Sequence, residues 1–306
     1  KLYVDNQEVS QQSRSCDPNN GSCRLGPVTI TPDLSAFGDG PHDFKVVATD
    51  QAGNTTTSAT WQRIIDRVPA TISNAAAPAT WQTGTTVPVS VEAANGMAGI
   101  SRILVTSGGS TVKTETLACS PNCPSQFNGS VQVNTSSLNE GTNTLMVYAV
   151  GPTGTQSEPK VVVAKVDRTS PTVTLNAPDW VGGTQNVGVV ASNPGSGVAS
   201  VKVKSPTGDV IGQSDEDCTY GCPGSIDKAV TFDASSVTQG TGRSFAVEVT
   251  DGSGRKVSNT MIMGVERTPP SLSSLGGTLP LLEGQQVDSN ANKTVITTGT
   301  DNSGAV

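Results

Sequence analysis

Six cysteines are the residues of this chain best suited to chemistry. They fall into three close pairs: Cys16 and Cys23, Cys119 and Cys123, Cys218 and Cys222. Successive pairs lie about one hundred residues apart, a period that points to an internal repeat. Closely spaced cysteines can close a local disulfide, hold a metal ion, or cycle between thiol and disulfide. Pairing within each copy leaves no odd thiol. Each pair would then close a small ring in a loop rich in Gly, Pro and Asn: "CDPNNGSC", "CSPNC" and "CTYGC". Such a ring contributes about 2 kcal/mol in the chain-entropy picture, less where it is strained, and it implies an extracellular compartment. Zinc is the rival reading, because spacings of this size occur in metal sites. A structural zinc needs four ligands, however, the pairs belong to separate copies, and His42 is the only histidine. A redox site would usually be C-x-x-C beside a helix, and neither is present. The pairs read as structural staples.

Two further groups recur. Acidic residues stand in Gly-containing turns (Asp50, Asp251, Asp301) and at three later positions (Asp66, Asp167, Glu266). Calcium between modules would need six to eight oxygens, several of them carboxylates close together. Each of the later acids is followed by arginine (Arg67, Arg168, Arg267), which is expected to supply the counter-charge itself. Turn formation and Asx hydrogen bonding is the plainer reading. Trp81 and Trp180 occupy matched positions in "PATWQTG" and "PDWVGG". An exposed Trp beside a Gly turn can stack on a sugar ring. The alternative is a ring packed over one end of its own module with its N–H left wet. Trp61 has no such equivalent and belongs to a final strand. Several Asn-X-Ser/Thr triplets, at Asn54, Asn128 and Asn134 among others, are expected by chance in a chain of this composition. No nucleotide loop or cluster of catalytic acids is present, and one histidine cannot serve hydrolytic triads in three copies.

The elements that carry these residues are legible from composition and alternation. Of the 306 residues 34% are hydrophobic and 4% aromatic, with 33 Gly and 19 Pro. That balance favours short strands and turns over helices and argues against one large core. No stretch of helical length shows a 3.6-residue period. A net charge of −7 without a basic face excludes nucleic acid as the expected partner. Apolar runs such as 161–164 are far too short to insert into a bilayer, and residue 1 does not open a signal peptide.

Three stretches share one pattern: "PHDFKVVATDQAG" (41–53), "TNTLMVYAVGPTG" (142–154) and "GRSFAVEVTDGSG" (242–254). Phe44, Leu145 and Phe245 lead it, then Val46, Val147 and Val247, then Ala48, Ala149 and Val249. Alternation with period two marks a strand with one buried face, ended by a turn. Upstream lie "DLSAFGDG", "NTSSLNEG" and "DASSVTQG", and downstream "IDRVP", "VDRTSP" and "VERTPP". Proline suits a seam between consecutive modules, since it cannot donate to a sheet ladder. About seven short strands per hundred residues, with frequent turn signals, are the expectation for an immunoglobulin-like β-sandwich. The cysteines are too close together to bridge two sheets in the antibody manner, so a fibronectin-type or bacterial immunoglobulin-like sandwich fits better.

The order "LYVDNQEV…C…C…DLSAFGDGPHDFKVVATDQAGN" with the later "VDR.PP"-type seams resembles bacterial immunoglobulin-like repeats. More narrowly it is similar to those of very large secreted actinobacterial proteins, including RHS/YD-repeat surface toxins. The second copy departs from the pattern, with "AVGPTG" at the turn where the others carry Asp. The expected architecture is all-β: a part-module at 1–68, whole modules at 69–168 and 169–267, and a part-module at 268–306. Short proline-bearing seams should make the string semi-rigid. The expected role is a non-catalytic stalk or spacer within a larger extracellular or surface-attached polypeptide, without a required cofactor beyond possible calcium. An adhesive module binding a glycan or protein of another cell is the alternative, with Trp81 and Trp180 as its glycan contacts. The chain begins and ends at equivalent points of the module, so it reads as an excerpt, or else as a unit that self-assembles by strand exchange through its ends.

Peptide mapping without reduction is expected to recover Cys16–Cys23, Cys119–Cys123 and Cys218–Cys222 as linked pairs. Free thiols at these positions would overturn the staple reading.

Overall fold

The computed structural model describes residues 1–14, 27–120, 122–277 and 295–301. Cys16 and Cys23 lie outside them. The chain is all-β, and the described residues form two compact units. One comprises Lys1–Ala79, Thr85–Leu138 and Asn143–Ala164; the other comprises Thr80–Gly84, Asn139–Thr142 and Lys165–Val306.

In the first unit the strands Leu2–Val4, Gln7–Ser10, Gly40–Thr49, Thr55–Thr57 and Trp61–Ile65 make one sheet. Trp61 thus opens a last strand, pairing with Phe44. The tight turn between the first two strands places Asp5 and Asn6 at positive φ, as a two-residue hairpin with right-handed strand twist requires. Two further sheets follow. Thr71–Ala76, Thr86–Ala94 and Gln126–Asn134 form a three-stranded sheet with the middle strand in sequence at its centre. Arg102–Ser107, Ser110–Thr116, Gly141–Val150 and Lys160–Val166 form a four-stranded one, and the ends of its last two strands fall within the second unit. The alternation read from sequence becomes burial: Leu145, Val147 and Ala149 are fully enclosed, while Met146 between them is exposed.

The second unit repeats this plan. Thr172–Asn176, Thr184–Ser192 and Ser225–Asp233 form the smaller sheet, and Val198–Lys204, Val210–Asp215, Gly240–Asp251 and Lys256–Val265 the larger. A two-residue strand, Trp180–Val181, joins the edge of the larger sheet in parallel with Gly264–Val265. Inward side chains of both sheets form one core that includes Val187, Val189, Phe232, Phe245, Val247 and Val249. Phe232 and Phe245 meet across it with ring centroids 6.1 Å apart. Ser271–Gly277 and Val295–Thr300 form a separate hairpin-like pair.

Removing the fully buried Phe245 ring leaves a cavity that neighbouring valines cannot close. Phe245→Ala is expected to cost about 3–5 kcal/mol in chemical denaturation, and a loss below about 1 kcal/mol would mean that the two sheets do not share a packed interior.

Candidate functional site

The three acid–arginine dipeptides do not neutralise themselves. Neighbours in an extended segment point to opposite sides, so each arginine reaches back while each acid reaches elsewhere. Arg67 donates to Asp39 at 2.9 Å and to the carbonyls of Leu34 and Phe37. Arg168 donates from Nε to Glu140 Oε1 at 2.7 Å, and its backbone N–H reaches Oε2. Arg267 donates from its side chain to the carbonyls of Ala234 and Val237, and from its backbone N–H to Gln239 Oε1. Asp39, Glu140 and Gln239 are the same position of the upstream block. The two recurring motifs are therefore spatial partners, which explains why they recur together. The expectation that arginine supplies the adjacent acid's counter-charge is corrected accordingly.

Each acid first caps its own turn, accepting from the backbone N–H two residues on: Asp66 from Val68 at 3.0 Å, Asp167 from Thr169 at 3.3 Å, and Glu266 from Thr268. The other carboxylate oxygen then reaches forward. Asp66 accepts from the Ala98 N–H at 3.2 Å, and Asp167 accepts from the Ser196 hydroxyl at 2.5 Å. Ala98 and Ser196 are equivalent positions, and the matching position for Glu266 lies outside the described residues.

These two forward contacts differ in depth. Asp167 is 0% exposed, because Gly195 lies against it: a Cβ there would sit 2.8 Å from the carboxylate carbon. Met97 holds the corresponding place beside Asp66, which stays half-buried. Around Asp167 a buried polar network forms. Asn193 Oδ1 accepts from the N–H groups of Gly195 and Ser196, and its amide donates to Thr169 O and to Asp251 Oδ2. Asp251 Oδ1 accepts from the N–H groups of Ser253 and Arg255. Arg255 in turn donates to the carbonyls of Arg168 and Thr83. A buried network is favourable only when its members are satisfied, and here each named carboxylate oxygen has a donor.

Asp50 and Asp251 follow the Asx reading. Asp50 accepts from the backbone and side chain of Asn54, and these bonds hold its carboxyl below the usual range. Asp251 accepts from the Ser253 and Arg255 N–H groups of its own turn. Among the described residues no group of three His, Cys, Asp or Glu side chains converges to hold a metal. His42 is committed too: one ring nitrogen lies 2.6 Å from Asp5 and the other 2.9 Å from Gly38 O. Two acceptors favour the doubly protonated ring, so its pKa is raised and that of Asp5 lowered.

Trp81 and Trp180 occupy the same place in their copies, beside the last strand. Gln82 bridges in parallel to Val166 as Val181 does to Val265. The Trp180 ring lies over Gly264, where a Cβ would come within 2.2 Å of a ring carbon. Lys165 stands at the Gly264 position in the earlier copy, and its ammonium sits 5.8 Å from the Trp81 ring centroid. Both indoles are half-buried. The disulfides Cys119–Cys123 and Cys218–Cys222 are formed, with Cα atoms 3.9 and 4.1 Å apart. Each ring is stitched to its module end: Gly99 and Gly197, both at positive φ, lie against the carbonyls of Cys123 and Cys222. Neither these glycine contacts nor the Gly195 approach was visible as a sequence signal, since glycine is abundant throughout.

No protein-family model matches the chain, and no curated protein matches it. Similar solved structures include fibronectin(III)-like modules of Clostridium thermocellum CbhA, at 18% identity and a TM-score of 0.27, covering 65% of this chain and 96% of that one. A tetra-tandem repeat from the extending region of a large adhesion protein matches at 18% identity and a TM-score of 0.33, over 90% and 74% of the two chains. A Bacteroides ovatus protein of a mixed-linkage glucan utilization locus matches at 14% identity and 0.20, over 94% and 65%. At these scores and identities neither a family nor a function carries over.

Asp251→Ala strands the donors of Ser253, Arg255 and Asn193 and is expected to cost about 1–3 kcal/mol in thermal unfolding. Gly151, the matching residue of the second copy, is the control: an added Cβ meets nothing closer than 3.8 Å, so Gly151→Ala should stay within about 0.5 kcal/mol. Equal effects would remove the network's claim to stabilise its turn.

Proposed function

We propose that the chain is a run of sandwich modules serving as a non-catalytic spacer in a large extracellular bacterial surface protein, of adhesin or RHS-toxin type. In this reading the modules are 1–68, 69–168, 169–267 and 268–306, and the partner is the rest of a longer polypeptide. The observation that carries it is the use made of the recurring motifs. The acid–arginine dipeptide, the feature repeated most regularly outside the cores, is spent on fixing the segment between successive sheet pairs. Both matched tryptophans are likewise engaged by their own last strand. Formed disulfides suit an oxidising compartment, and an acidic, Thr-rich surface keeps an extended polypeptide soluble.

An adhesive reading rests on one observation: Tyr220, at the tip of the Cys218–Cys222 ring, is fully exposed. A glycan array probed with the chain separates the two. A spacer binds nothing above background. Binding that disappears in Trp81→Ala, Trp180→Ala or Tyr220→Ala would overturn the spacer reading and make the chain an adhesive module.

A further inference from the structure

The dipeptide Asn-Gly occurs at 20–21, 95–96 and 128–129. In this dipeptide the asparagine side chain is open to attack by the next backbone nitrogen, because glycine presents no Cβ to block the approach. Asn20 lies outside the described residues. The other two sites are alike in sequence and opposite in structure. Asn128 and Gly129 stand in mid-strand, paired with Glu92 and Val91. The Phe127 ring lies over Gly129, where a Cβ would meet it at 3.1 Å. Asn128 is exposed, but regular pairing holds its backbone extended on both sides.

Asn95 stands in the loop after Thr86–Ala94. Its side chain turns back along the chain in an Asx turn: Oδ1 accepts from the Met97 N–H at 3.1 Å, across the intervening Gly96. That bond draws electrons from Cγ and strengthens if an oxyanion forms at Oδ1. Among the described residues the Gly96 N–H donates no hydrogen bond. Gly96 is exposed, and a Cβ on it would meet nothing within 4 Å. Asn95, Gly96 and Asp66 line one open pocket of about 280 Å³, which gives water a way in. The third copy keeps the side-chain arrangement without the nucleophile. Asn193 Oδ1 accepts from the Gly195 N–H at 2.8 Å, but the residue between them is Pro194, whose nitrogen has no hydrogen to give up.

We propose that Asn95 is a site of spontaneous deamidation, which alters with time the loop that Asp66 holds. The Gly96 nitrogen bonds to Asn95 Cγ and the Cγ–Nδ2 bond breaks; the proton lost from Gly96 leaves with Nδ2 as ammonia. One water molecule then opens the cyclic imide at either carbonyl. The product is aspartate or, with the main chain rerouted through the side chain, isoaspartate. Either places a second carboxylate in the pocket that Asp66 lines, where like charges repel. Isoaspartate also adds a methylene to the main chain just before Ala98, whose N–H donates to Asp66 at 3.2 Å. That contact is released in the converted chain. The inference concerns this loop alone and is independent of the spacer reading.

Timed incubation of the folded 306-residue chain at neutral and mildly alkaline pH tests it, followed by peptide mapping that separates aspartate from isoaspartate. Asn95 should convert faster as the pH rises, with Asn128 about tenfold slower and Asn193 unchanged. In strong denaturant Asn95 and Asn128 should convert at similar rates, since the difference between them belongs to the fold. Gly96→Pro, which copies the third copy, should abolish conversion at Asn95 and leave that at Asn128. Gly96→Ala, which adds only a Cβ in open space, should slow it. Amide exchange at Ala98 should quicken in the converted chain. Conversion of Asn128 ahead of Asn95 in the folded chain overturns the assignment, and so does conversion of Asn95 in either variant at the wild-type rate. Exchange at Ala98 that conversion leaves unchanged overturns the release of Asp66.

Discussion

The interaction on which the repeat depends is a division of labour between two adjacent side chains. Because an extended backbone points neighbours in opposite directions, an acid followed by arginine can hold two different things. The arginine reaches back to the upstream block, bonding residues of 34–39, Glu140, or residues of 234–239. The acid caps its own turn and then accepts from the loop that follows. Proline shortly after the dipeptide prevents the strand from running on. One dipeptide thereby ties the segment after a last strand both to the block before that strand and to the loop that follows.

How firmly the acid is held is set by a residue that does not touch its charge. At Asp167 the close approach of Gly195 encloses the carboxyl group completely, and a buried polar group is tolerable only with partners. Ser196 and the turn at Thr169 provide them. The Asn193–Asp251–Arg255 network surrounds these contacts and ties in the carbonyls of Thr83, Arg168 and Thr169. At Asp66 a methionine occupies the glycine's place, the serine is alanine and the turn acid is Gly151. All three changes run in the same direction. A half-exposed acid needs fewer partners, so the simpler surroundings of Asp66 are self-consistent rather than degraded.

Much of the fold was legible because its signals are local. Alternation at 145–149 and 245–249 maps onto burial residue by residue, Trp61 opens a last strand, and spacing alone identified the two rings at Cys119 and Cys218. The destination of the arginines was not legible. Their partners lie some thirty residues upstream, and adjacency in sequence suggested a pairing that extended geometry forbids. The same limit applies at Val46 and Ala48, where the sequence pattern matches that of the buried copies yet Val46 is half-buried and Ala48 exposed.

The matched tryptophans meet their surroundings in two ways. An indole beside a glycine turn has the shape of a sugar platform, and its repetition at Trp81 and Trp180 suggests a shared partner. Each ring lies beside the last strand of its own copy, and the two copies receive it differently. Gly264 removes its side chain so that the Trp180 ring can lie on the backbone, a rescue of strand glycine by an aromatic neighbour. Lys165 instead offers an ammonium close to the Trp81 ring face, within the range of a cation–π contact. In both copies the half-buried ring sits where a parallel bridge joins the last strand, with lysine or glycine as its neighbour.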